Sequence, residues 1–82
     1  QALEPGEGQR RRAALVLARK RRFGPYARPA EGDAEAQRKL HEKRLAAMVR
    51  AGHDFEIARR VIEARDVEEL EEWVAEAAEG YE

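Results

Sequence analysis

The chain has no cysteine, no serine and no threonine in its 82 residues. Without cysteine there is no disulfide and no thiolate metal site, which fits a reducing cytoplasm. With serine and threonine also missing, the usual side-chain nucleophiles are gone, and a covalent-catalysis reading has nothing to work with. The two histidines, His41 and His53, lack the spacing of a helical metal pair, and no glycine-rich phosphate loop occurs. His41 is expected on a helix surface and His53 in a turn. The sequence therefore points to a protein that is not an enzyme and needs no cofactor. Long apolar runs are missing too. The longest, Ala13 to Ala18, is bracketed by arginines and is far short of the ~18 residues a membrane span needs. No signal peptide is visible. The chain begins at Gln1 without an initiator methionine, and so reads as a fragment or a processed product.

Charge is abundant and unevenly placed. The formal net charge is only −1. Residues 1–30 nevertheless hold eight Lys/Arg against two acids, and residues 66–82 hold eight acids and no base. A basic start and an acidic finish imply either a polyanion-binding face or internal pairing of the two ends. A chain this short buries only about 60% of its unfolded surface, so one domain of modest stability is expected.

The periodicity predicts an all-α fold, a small bundle of about four helices near 10–23, 33–51, 55–64 and 67–78. Residues 1–9, with Pro5, Gly6 and Gly8, read as a disordered lead-in. In the first helix Ala14, Leu17 and Ala18 face the core, extended by Ala13 or Arg21. Gly24 is expected to cap it, and Pro25 cannot continue it. Phe23 and Tyr26 should pack the irregular connection that follows, through Pro29, onto the bundle, with base stacking as the weaker alternative. Asp33 is a candidate N-cap for the second helix, whose stripe is Ala36, Leu40, Ala47 and Ala51. Arg44 interrupts that stripe, and Leu45 and Met48 widen it. Alanine at several of these contacts implies close helix approach. Gly52 supplies the positive φ that ends this helix, and Asp54 caps the third, with its stripe of Ile57, Ala58, Val61 and Ile62. Asp66 and Glu69 form a capping box for the fourth, which carries Val67, Leu70, Val74 and Ala77 beside Trp73 and ends at Gly80.

Two basic clusters bracket the apolar block of the first helix, Arg10-Arg11-Arg12 and Arg19-Lys20-Arg21-Arg22. The second lies at a helix C-terminus, where cations complement the macrodipole. These arginines are either a solvated, end-capping face or a binding surface. The hairpin around Gly52 also suggests a helix-turn-helix DNA-binding module, with Arg59 and Arg60 pointing out from a recognition helix. Against that stand Met48 at the tight position before the turn glycine, polar His53 just after it, and Glu56 and Glu63 near the groove.

A family resemblance supplies a second reading. Arg19-Lys20-Arg21-Arg22-Phe23-Gly24-Pro25-Tyr26, then Leu45 through Gly52, then Ala58-Arg59-Arg60-Val61-Ile62 resemble the C-terminal portion of RecX-type regulatory proteins in order and spacing. The resemblance covers about residues 10–65, and the acidic helix of 66–82 lies outside it. His53 stands where the family usually has an aromatic. The resemblance implies the last three-helix module of a tandem-module protein, with further modules upstream. It also implies a cytoplasmic, non-catalytic regulator that binds a RecA-type recombinase filament, with single-stranded DNA as a further possible partner, and restrains homologous recombination and DNA repair. The residues it marks for partner contact are Arg19, Lys20, Arg21, Arg22, Arg59 and Arg60, touching phosphate or acidic filament surface. The acidic last helix either completes the bundle or masks the basic first helix.

Overall fold

A computed structural model of the chain describes residues 6–28 and 31–79. Its elements are α1 (Glu7–Arg21), a 3₁₀ turn (Gly24–Tyr26), α2 (Ala34–Arg50), α3 (Phe55–Glu63) and α4 (Val67–Glu79). The fold is an all-α bundle, as the periodicity requires. The expected lead-in through residue 5, Pro29 and the Gly80 stop lie outside the described residues.

Helix α3 organises the bundle. Ile57, Ala58, Val61 and Ile62 are all buried, and α3 packs on α1, on α2 and on the 3₁₀ turn. Helix α4 lies along α1 and buries Leu70 and Val74. Close helix approach does occur, but through Ala14 and Ala18 of α1 and Ala58 of α3, each with no exposed surface. The core is small, so its large side chains matter individually. Burying each is worth about 1.5–3 kcal/mol.

Short-range chemistry sets most helix starts. The Asp33 carboxylate accepts from the Ala36 N–H at 2.9 Å, and that of Asp54 accepts from the Glu56 N–H at 2.8 Å. Asp66 accepts from the Glu69 N–H at 2.8 Å. The return bond from Glu69 goes to the N–H of Arg65 at 2.7 Å, one residue earlier than a strict capping box. Helix α2 ends at Gly52, whose φ is 105°.

Four expectations need correction. Helix α1 starts at Glu7, so residues 7–9 are helical and not part of a lead-in. Glu7 is the reason: its carboxylate pairs with Arg10 at 3.0 Å and Arg11 at 2.9 Å, at i+3 and i+4. The inner face of α1 includes Leu15, which is buried, whereas Ala13 and Arg21 are exposed. The stripe expected along α2 is mostly uncovered. Only Met48 is buried; Ala36 and Ala51 are exposed and Leu40 is half-buried, because α2 packs chiefly on the short α3. Finally, the left-handed residue that closes α1 is Arg22, at φ 61° and ψ 50°, and not Gly24.

Candidate polyanion-contact site

The end of α1 is built by its backbone. The Phe23 N–H reaches back to the Ala18 carbonyl at 2.8 Å, and the Arg22 N–H to that of Arg19 at 3.3 Å. This pair of bonds satisfies the orphan carbonyls of the last turn, and it requires a left-handed residue between them. Glycine is the usual choice; here arginine holds the position.

Gly24 is committed elsewhere. A Cβ on it would lie 2.6 Å from the Val61 carbonyl oxygen and 3.2 Å from the Ile62 Cα. The 3₁₀ turn can therefore press against α3 only through a glycine, whose own φ is 61°. That contact fixes the turn and, with it, the partly buried Phe23 and Tyr26, both packed on the core as the sequence suggests. The Tyr26 hydroxyl is buried without a hydrogen-bond partner among the described residues. Burial raises its pKa above the ordinary 10.0, Glu71 adds to the rise, and Arg19 offsets part of it.

Arg19, Lys20, Arg21 and Arg22 are all exposed. None of the four side chains makes a hydrogen bond or ion pair with another described residue. At ~3.6 residues per turn, consecutive positions project about 100° apart, so the block forms a collar around the end of α1 and not a single face. A fifth cation joins it from α2. The Arg44 guanidinium lies over the Phe23 ring, 5.5 Å from its centroid, within the range of a cation–π contact. By periodicity alone Arg44 is a break in a stripe. Its spacing of four residues from both Leu40 and buried Met48 is the signal that it faces the bundle.

The other two candidate residues are engaged within the molecule. Arg59 bonds Glu56 at 2.9 Å and Glu63 at 3.4 Å, both on α3. The Glu56 hydrogen bond and charge, then Glu63, raise its already high pKa. Glu63 also lies 3.4 Å from Nε2 of His41 on α2. The Arg60 guanidinium lies 5.3 Å from the centroid of Trp73. Arg11 lies 4.1 Å from the same ring and donates to the Trp73 carbonyl at 2.6 Å. Arg59, Arg60, Glu63, Leu70 and Trp73 line a groove of about 160 Å³ beside the start of α4. Arg60 thus clusters with Arg11, eight residues before Arg19, or ~12 Å along the helix.

Among the described residues, no α4 carboxylate forms an ion pair with Arg19, Lys20, Arg21 or Arg22. Among the described residues, the only α4 carboxylate in an ion pair is Glu69, with Arg65 at 3.7 Å. With Leu70 and Val74 buried, α4 is a structural member of the bundle. No group of three potential metal ligands occurs among the described residues. None of the described helices is long and apolar enough to cross a membrane.

The chain is similar to a known regulatory protein. RecX of Agrobacterium fabrum (strain C58) is 40% identical over 65 residues, a stretch that takes in 79% of this chain and 32% of that protein. The chain thus spans about a third of the length of the curated relative it matches. No family model matches it, and no solved structure does.

Proposed function

We propose that the chain acts as the C-terminal module of a RecX-type regulator. It binds a RecA-type recombinase filament on single-stranded DNA and restrains homologous recombination, by binding and not by catalysis. The observation that carries this reading is the similarity to RecX over most of the chain. The collar gives the reading a physical basis. Four exposed, unpaired cations at one end of a helix form the part of the surface best suited to a negatively charged partner, and arginine's planar fork suits both phosphate and carboxylate. Arg59 and Arg60 belong to the same reading in a supporting role. Arg59 is paired within α3 and Arg60 lies against Trp73 of α4, so the contact is assigned chiefly to Arg19, Lys20, Arg21 and Arg22.

The helix-turn-helix alternative is weaker. The outward side of α3 carries a ladder of Glu56, Arg59 and Glu63. Such a ladder brings carboxylates toward the phosphates that flank a major groove. The deciding experiment measures binding to bare duplex and to recombinase-coated single strands across a salt series. The proposal expects tighter binding to the coated strands, weakening as salt rises. A preference for bare duplex overturns it.

A further inference from the structure

Arg22 carries a cost that its neighbours do not. It is the only non-glycine residue with positive φ among the described residues. A side chain in that region crowds its own backbone, and the crowding persists only where the surroundings enforce it. The surroundings here are the two carbonyl bonds that close α1 and the close approach of Gly24 to α3. Glycine would satisfy the same bonds without strain. What the fold offers arginine in return is only the dipole attraction of an exposed cation at a helix C-terminus, since its side chain makes no hydrogen bond or ion pair with a described residue.

Its sequence neighbour, Phe23, is the ring beneath Arg44. A guanidinium and an aromatic ring are both flat groups on which nucleobases stack, and here the two lie side by side as a candidate stacking platform, 5.5 Å from guanidinium carbon to ring centroid. Arg22 precedes Phe23 directly in the chain, and with Arg19, Lys20 and Arg21 it belongs to the collar of exposed cations that closes α1, groups suited to a phosphate backbone. The chain supplies no serine, threonine or asparagine that could read base edges from this surface. An acidic protein surface would use the cations but not the platform.

We propose that Arg22, Phe23 and Arg44 form the contact point for single-stranded nucleic acid, without sequence preference, and that arginine occupies a left-handed position at residue 22 for a phosphate contact at the expense of stability. The inference rests on the proposed function in taking the collar as the partner-facing surface. Arg44 stacks a base from the outer side of its guanidinium, and Arg22 holds the adjoining phosphate.

The test measures thermal midpoint and binding of the whole chain to three probes: oligothymidylate, an abasic oligomer of equal length, and poly-glutamate. Arg22→Gly is expected to raise the midpoint by about 4 °C. It should also weaken oligothymidylate binding about tenfold and lower the slope of log affinity against log salt by about 0.7, as one lost phosphate contact requires. Arg44→Ala is expected to abolish the preference for oligothymidylate over the abasic oligomer. Unchanged affinity in Arg22→Gly, or a midpoint that does not rise, overturns the assignment of Arg22. A wild-type chain that binds the abasic oligomer or poly-glutamate as well as oligothymidylate overturns the platform. If these results hold while coated filaments are not bound, the filament reading fails and this one stands. Binding to filaments and to oligothymidylate that ignores both substitutions overturns this inference and leaves the filament reading in place.

Discussion

Helices α1 and α2 end in the same backbone arrangement and differ in the residue that closes it. In α2, the Gly52 N–H bonds the Val49 carbonyl at 2.9 Å and the His53 N–H bonds that of Met48 at 3.1 Å. In α1 the equivalent bonds run from Arg22 to Arg19 and from Phe23 to Ala18. The α2 end is relaxed: glycine adopts φ 105° and no atom of the described residues lies within 4 Å of its missing side chain. The α1 end is strained and tightly docked, with an arginine at φ 61° and a glycine pressed on α3 two residues later. One end only stops a helix. The other stops a helix and presents a charge, and it is the end where the unpaired cations gather.

The largest expected effect comes from breaking the docked end. Gly24→Ala adds a Cβ where the Val61 oxygen lies and also strains φ, so it should destabilise by roughly 2–4 kcal/mol. A fall in thermal midpoint of well over ~8 °C checks this. Gly52→Ala meets no neighbour and should cost only its backbone conformation, about 1 kcal/mol. Equal losses at the two glycines would erase the distinction between the ends. Arg22→Gly, read by denaturant midpoint, should stabilise by about 0.5–1 kcal/mol, making the two ends alike.

The smallest effect is at the other end of α1. Arg11, then Arg10, hold the Glu7 carboxyl below its ordinary 4.5. A lowered folded pKa means the contribution is complete above pH 4.5 and is lost as pH falls through the folded value. Because the group is exposed and screened, the loss should stay below about 0.5 kcal/mol. Helical content between neutral pH and about pH 3, compared in wild type and Glu7→Gln, reads it, and the variant should show less of the change.

Much of the fold can be read from the sequence because local rules decide it. The stripe of α3, the caps Asp33, Asp54 and Asp66 and the stop at Gly52 each need only near neighbours. The features that escape such a reading depend on distant contacts. Nothing near Ala36 or Leu40 announces that the described helices leave the first exposed and the second only half-buried. Gly24 has the makings of a cap for α1, and its use against Val61 is a tertiary demand. The candidate site divides in the same way. The block of Arg19 to Arg22 is plain as charge, but its being unpaired is visible only once α4 is in place. The spacing of Glu56, Arg59 and Glu63 at i, i+3 and i+7 carries a local signal for their ladder. The stacking of Arg60 and Arg11 on Trp73 joins three helices and has no such signal.

The most direct test compares two charge reversals, Arg21→Glu with Arg22→Glu and Arg59→Glu with Arg60→Glu, for binding to recombinase-coated single strands and for thermal midpoint. The collar pair should lose at least about tenfold in affinity with the midpoint nearly unchanged, while the α3 pair should lose stability first, as Glu56, Glu63 and Trp73 lose their partners. The contrary result is full binding by the collar pair alongside lost binding, at unchanged midpoint, by the α3 pair; the functional surface would then lie on α3.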